Sequence, residues 1–481
     1  MKLKILSVAL ECKDGNVSYQ FNRHITVIYG NVGVGKTSLL NLVSYCLGND
    51  IVKTPAIDSQ VISVSLTISV NENIIILKRQ IGSNFINAKT ADKELSLKAK
   101  DTSSVNTITN YFYHLARLRP AFVIPKNQWY KEKEIKITFS NYFWFSYLRQ
   151  DEIDNSLFYF GESQSFFKEV ASQSVFFELL GGNSHSDSEL QSQIRRYTSL
   201  LAETKRKVSI GDEIRKKTSL LNINTSEEIT KKQKILIELR TLLDSMIQAT
   251  QVTVDREQLT EMLSIQYKIG LFEAEIKYLS SLGKVKSVLD DYHREKENYE
   301  NILVHMKERK GKAISDNASF RLNLDTISDV LLETFISIRF PGIEIGDSIR
   351  ILQKDFIPRI FSYDGKEKFS FHNLSSGGKK TIFKLCYAIA IHRTILKNDL
   401  VSLVPSVLIV DTPMKNISER EDLALYNNLF SLLGKTFSDG GVLSETQLII
   451  VDKELHPYLD TPEVTKYHLS HEEPLLPYNG S

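Results

Sequence analysis

The chain has 481 residues, 42% of them hydrophobic and 25% charged, with a formal net charge of +2. That length exceeds a single compact core and predicts roughly two to four units of ordinary globular composition. The near-neutral balance leaves only local basic surface for nucleic acid or membrane, and three scattered cysteines without a C-x-x-C pair exclude a disulfide framework or zinc site and fit a reducing cytoplasm.

The opening M-K-L-K-I-L-S-V-A-L has too short an apolar run for a signal peptide, and Glu11 follows at once. It predicts a first strand over 2–10, with further strands over 17–21 and 24–29. No stretch approaches the ~20 apolar residues of a membrane span, so no membrane association is expected. Immediately after 24–29 comes G-N-V-G-V-G-K-T-S, Gly30 to Ser38, which fits the phosphate-binding loop pattern. Residues 37–47 predict a helix, with Gly48 placed to end it. Strand, glycine-rich turn and helix start is the context this motif needs. Gly30, Asn31, Gly33 and Gly35 let backbone N–H groups turn toward phosphate. Lys36 is expected to reach the β- and γ-phosphates, and the Thr37 hydroxyl, followed by Ser38, to meet Mg²⁺.

Residues 61–70 and 74–80 predict a hairpin turning at Asn71-Glu72-Asn73. In K-E-K-E-I-K, residues 131–136, alternation would put Lys131 and Lys133 on one strand face. Either a phosphate-backbone contact or a solvated edge strand would use them. An aromatic-rich segment, 139–160, reads as core and contains Y-L-R-Q-D-E-I-D-N with Gln150.

The composition changes near Gly181-Gly182. From 186 to 317 there is no proline, and apolar residues recur at heptad spacing: Leu190, Ile194, Tyr197 and Leu201, then Ile235, Leu239, Leu242 and Met246. After a break over 248–254, Asp255 and Gln258 resemble a capping box, and the pattern resumes through Met306 with a slip at Leu282-Gly283. Two arms meeting near residue 250 predict an antiparallel coiled-coil hairpin, each arm reaching at most ~90 Å. Breaks are expected at Ser209-Ile210-Gly211 and over 222–225. The same spacing also suits separate helices of a bundle. Acids and bases are balanced along it, as on a solvated face.

From about 319 the mixed pattern returns. Strands are expected over 349–352, 360–362, 407–410 and 447–451, helices over 378–396 and 421–433, and an irregular tail over 468–481. V-L-I-V-D, closing on Asp411, suits a buried parallel strand holding Mg²⁺ beside the phosphate loop. N-L-S-S-G-G-K-K leads into a predicted helix at Ser376, Gly377 and Gly378, a second anion-binding N-terminus or an ordinary N-cap turn.

With the hairpin between the two halves of its nucleotide motifs, the sequence resembles the ATP-binding-cassette ATPases of the SMC and RecF/RecN type. The resemblance implies an α/β head made of an N-terminal lobe (1–185) and a C-terminal lobe (319–481), with the coiled-coil hairpin (186–318) inserted. It makes Gly30 to Thr37 the Walker A loop, Asp411 the end of the Walker B strand, and Gln150 the glutamine that joins Mg²⁺ and the attacking water. It makes Ser376-Gly377-Gly378 the signature, whose serine meets the γ-phosphate held by a second copy. The implied form is an ATP-bound homodimer with two shared sites, ATP and Mg²⁺ as cofactors, and DNA as an expected partner.

Three departures bear on this. Thr412 follows Asp411 where the family has a glutamate, so hydrolysis is expected to be slow or to use Glu419 or Glu421. Asp452 stands where the switch histidine is expected, with His456 as the alternative. The hairpin has neither a zinc hook nor room for an SMC hinge. D-T-P is shared with SMC-like ATPases of bacterial defence systems. That implies a cytoplasmic ATPase controlling further subunits or an effector nuclease in antiviral defence. A RecF/RecN-like repair factor and a nucleotide-locked scaffold are the alternatives.

Overall fold

The computed structural model describes residues 1–51, 53–100, 106–118, 120–123, 135–160, 166–181, 184–217, 224–249, 256–315, 318–353, 355–413 and 423–476. It forms two compact units, one from Met1–Ser188 with Asp316–Ser481 and one from Glu189–Ser315.

In the first unit, strands β1 (Leu3–Cys12) and β2 (Gly15–Gln20) begin a six-stranded antiparallel sheet. Strand β3 (Ile25–Gly30) leads through the glycine-rich turn into α1 (Lys36–Cys46), and Gly48 takes a φ of 102° just past its end. After the short α2 (Pro55–Gln60), β4 (Val61–Val70) returns to pair with β1, and β5 (Asn73–Gln80), β6 (Phe85–Lys89) and β7 (Glu94–Lys98) complete the order β2-β1-β4-β5-β6-β7. The β4–β5 turn places Asn71 and Glu72 at φ 47° and 71°, the left-handed pair that matches the twist of a tight hairpin.

Next come α3 (Ile108–Leu115), the paired strands β8 (Phe122–Val123) and β9 (Ile135–Lys136), and α4 (Phe139–Phe143). Lys131 and Lys133 lie outside the described residues. Strand β10 (Tyr147–Leu148) and α5 (Phe166–Leu179) follow. Phe145, Phe158 and Phe160 of the aromatic segment are buried against one another and, with Phe176 of α5, against Phe356 and Tyr387, so they form core.

In the second unit, α6 (Ser184–Lys217) and α7 (Thr225–Ala249) both run antiparallel to the 60-residue α8 (Arg256–Ser315). Cross-pairs fix the direction: Lys232 with Glu275 at 2.7 Å, Asp212 with His293 at 3.1 Å and Lys205 with Glu300 at 2.9 Å. Helix α6 continues through Ser209-Ile210-Gly211, against the expected break. Gly211 has no Cβ, and one placed there would overlap Leu289, so the glycine serves close helix packing. Leu282-Gly283 likewise lies inside an unbroken α8, although the heptad slips there. Residues 250–255, with the expected tip and Asp255 of the expected capping box, lie outside the described residues.

The first unit resumes with α9 (Ala318–Ile338) and a three-stranded antiparallel sheet of β11 (Ser348–Ile351), β12 (Pro358–Phe361) and β13 (Glu367–Ser370). Helix α10 (Gly377–Lys397) is buried along most of its length. Strand β14 (Val407–Asp411), α11 (Leu423–Phe437), β15 (Gln447–Asp452) and β16 (Thr465–Leu469) complete the chain.

These last strands build the sheet that positions the site, in the order β10-β14-β15-β3-β16, all pairs parallel. Strands β14 and β15 are buried at every residue, as parallel strands covered on both faces must be. The register aligns Asp411 with Val451 and Asp452 with Tyr29, so three strand ends reach one edge together. Strand β16 corrects the expectation of an irregular tail, since His468 and Leu469 pair with Tyr29 and Gly30. No helix among the described residues is long and apolar enough to cross a membrane.

Candidate nucleotide site

The carboxyl ends of parallel strands are where open α/β sheets place ligands, and here a cavity of about 640 Å³ opens at that edge. Gly33 to Ser38 line it, together with Gln150, Thr412 and Lys453. Gly30, Gly33 and Gly35 have φ of 137°, 86° and 98°, so all three glycines of the loop use backbone closed to most side chains. Among the described residues no side chain caps α1, and its first turn holds no acid, which leaves its N-terminal N–H groups and positive dipole end open to an anion.

Lys36 is buried beneath the loop and donates from Nζ to the carbonyls of Gly30 at 2.8 Å and Asn31 at 2.5 Å. Burial pushes its pKa down, and the carboxylates of Asp452 and Asp411 oppose that shift. The Thr37 hydroxyl donates to Asp411 Oδ1 at 3.3 Å, and the Thr412 hydroxyl donates to the same oxygen at 2.9 Å. Asp411 Oδ2 is buried without a hydrogen-bond partner among the described residues. Burial raises the Asp411 pKa, with the two threonine hydroxyls pulling it back. A buried carboxylate with one orphaned oxygen, beside a threonine hydroxyl, fits Mg²⁺, which takes few protein oxygens and completes its shell with phosphate and water.

Gln150 is carried to the same edge because β10 runs beside β14, pairing Leu148 with Val410. Thr412 stands at φ 55°, left-handed backbone that a β-branched residue rarely adopts, and its N–H donates to Val451 O at 2.7 Å. The strand thus ends in a turn held from β15, with the Thr412 side chain at the cavity.

Three expected features lie elsewhere. Ser376 caps α10, its Oγ accepting from Lys379 N at 3.2 Å, and with Gly377 and Gly378 it does not line the cavity. His456 stacks on Phe430 with ring centroids 4.4 Å apart and contacts Asn427, away from the cavity. Asp452 is buried below the edge, where Tyr426 donates to Oδ2 at 3.2 Å and Lys453 N to Oδ1 at 2.7 Å. Burial pushes its pKa up to about 6. Lys453, one residue on, lines the cavity. Glu419 and Glu421 lie outside the described residues.

Sequence reasoning also missed Thr54 to Ala56 and His471 with Pro474 to Leu476, all lining the cavity. Neither segment carries a periodic signal.

The family model described as AAA domain matches residues 12–319, more than half of the chain. No curated protein matches it. Among solved structures, the chain is similar to the Smc head domain with an extended coiled coil, bound to the C-terminal domain of ScpA, from Pyrococcus furiosus. That match has 12% identity, covers 94% of this chain and 90% of that one, and has a TM-score of 0.42. For the Smc head domain with coiled coil and joint from Pyrococcus yayanosii the values are 13%, 94%, 92% and 0.39. For the recombination mediator RecF with ATP they are 12%, 95%, 93% and 0.32. The chain belongs to the AAA domain family.

Proposed function

We propose that this chain is an ATP-dependent switch whose two-lobed head closes on a second copy when ATP binds. The observation that carries the reading is the meeting of Lys36, Thr37 and Asp411, with Gln150 and Thr412, at one cavity edge. Lys36 would exchange its two loop carbonyls for β- and γ-phosphate oxygens. Thr37 and Asp411, with Gln150, would hold Mg²⁺, which supplies positive charge against the phosphate oxygens. Thr412 offers a hydroxyl but no carboxylate, so no acid directly beside Asp411 can take a proton from the attacking water. Slow turnover follows from that chemistry, and DNA would stimulate it.

Ser376, at the N-terminus of α10 and outside its own copy's cavity, would meet the γ-phosphate bound by the partner copy. DNA and further protein subunits, including an effector nuclease in anti-phage defence, complete the reading. Its support is the D-T-P sequence after the strand and the short helical insertion. The same head would serve a RecF-like repair factor equally, and a requirement for DNA ends or gaps without an effector-bearing partner would favour that role. The test is solution mass with and without ATP and Mg²⁺. The wild-type mass should double, and Lys36→Ala and Ser376→Arg should each prevent it. Unchanged dimerisation and hydrolysis in both variants would sink the mechanism.

A further inference from the structure

The segment after β16 is built onto the phosphate loop. Asn31 N donates to Leu469 O at 3.2 Å where the segment begins, and Leu475 N donates to Val34 O at 2.9 Å near its end. Between them Ser470 Oγ accepts from the N–H groups of Glu472 at 3.2 Å and Glu473 at 3.0 Å, which folds the intervening residues into a turn. Leu475 is fully buried, and a Cβ on Gly35 would come within 2.7 Å of its Cβ. A strap tied to the loop at both ends has little freedom of its own, so whatever it presents to the cavity is presented in fixed geometry.

What it presents is apolar. Pro474, Leu475 and Leu476 line the cavity, joined by Pro55 and Ala56 from the start of α2, while His471 supplies a polar edge. The side chains of Pro55, Ala56, Pro474, Leu475 and Leu476 carry no group that binds phosphate. The lining also carries polar side chains suited to phosphate, among them Lys36, Thr37, Gln150, Thr412 and Lys453. A cavity of about 640 Å³ is of the size that holds a whole small ligand rather than a triphosphate alone. A flat, weakly hydrated ring with polar atoms on its edge is the ligand part that gains from such surface.

We propose that the strap, with Pro55 and Ala56, forms the base subsite for a purine nucleoside triphosphate. The inference rests on the nucleotide reading above and adds to it which residues hold the base. It gives the strap a binding role of its own, beyond bracing the loop.

The test measures equilibrium binding of ATP and of inorganic tripolyphosphate, both with Mg²⁺, to the full chain. Pro474→Ser and Pro55→Ser each remove ring methylenes from the proposed subsite; Pro55 is exposed and Pro474 half-buried, and melting curves check that folding is kept. Each variant should weaken ATP about tenfold, the worth of a methylene or two of lost apolar contact, and leave tripolyphosphate within about twofold. Lys36→Ala should lose both ligands. If ATP affinity is unchanged in both proline variants, or falls in step with tripolyphosphate, the base subsite is refuted and the nucleotide reading stands. If the wild-type chain binds neither ligand, the nucleotide reading falls and takes the subsite with it.

Discussion

The phosphate loop holds Gly30 and Gly35 at the fixed motif positions and Gly33 between them; the structure gives the three different neighbours, and alanine at each should cost a different amount. A Cβ on Gly30 would overlap the backbone carbonyl of Leu469, which cannot move without parting β16 from β3. Its φ of 137° adds the strain of backbone rarely adopted by L residues. Together these predict a loss of about 4 kcal/mol or more for Gly30→Ala, in the range reserved for a forced backbone clash. At Gly35 the obstacle is the Leu475 Cβ at 2.7 Å, which moves only with the strap's own backbone, and about 2–3 kcal/mol is expected. At Gly33 nothing lies within 4 Å, so only the left-handed φ is charged, at about 1 kcal/mol. Urea denaturation of the three variants, followed by intrinsic fluorescence, reads the order directly. A Gly30→Ala chain as stable as wild type, or a Gly33→Ala chain as damaged as Gly30→Ala, would refute the packing of β16 and the strap on the loop.

Other perturbations separate nearby residues. Lys453→Ala should weaken ATP about tenfold by removing a cation from the phosphate end, while His456→Ala should leave affinity unchanged; binding titrations decide it. Asp452 has a folded pKa of about 6 against 3.8 for the ordinary group, so its charge opposes folding. The cost is absent below about pH 4, grows as pH rises, and is complete above about pH 6. Asp452→Asn should therefore stabilise the fold by up to about 3 kcal/mol at pH 7.5, with the gain shrinking toward pH 4 in a series of melts. In the helical unit, Gly211→Val should cost about 2 kcal/mol by displacing Leu289. Gly270→Ala, with nothing within 4 Å, should gain up to about 1 kcal/mol from helix propensity. Thermal melts followed by circular dichroism give both signs.

What the sequence disclosed was whatever local chemistry determines. The turn at Asn71-Glu72, the glycine-rich loop, and the apolar runs ending in Asp411 and Asp452 each carry their instructions within a few residues. Long-range packing hid the rest. Thr465 to Leu469 alternates only weakly and becomes a strand because β3 offers an open parallel edge. Ser209 to Gly211 reads as a helix break by propensity, but Leu289 needs the space that Gly211 leaves. The same kind of reason hid Lys453, whose place at the cavity depends on where β15 ends relative to β3, a matter of register between strands more than four hundred residues apart in the chain. The strap was least legible, since its role comes wholly from contacts with the loop.

The central claim is that each ATP is shared between the phosphate loop of one copy and Ser376 of another. Mixing two inactive variants tests it most directly. Lys36→Ala and Ser376→Arg chains should each hydrolyse no ATP alone. Mixed in equal amounts, the dimers that close would be mixed ones, each pairing an intact loop with an intact Ser376 at one of its two sites, restoring up to about half of wild-type turnover per chain. A mixture as inactive as its components, or a Ser376→Arg chain with full turnover by itself, would contradict the shared site.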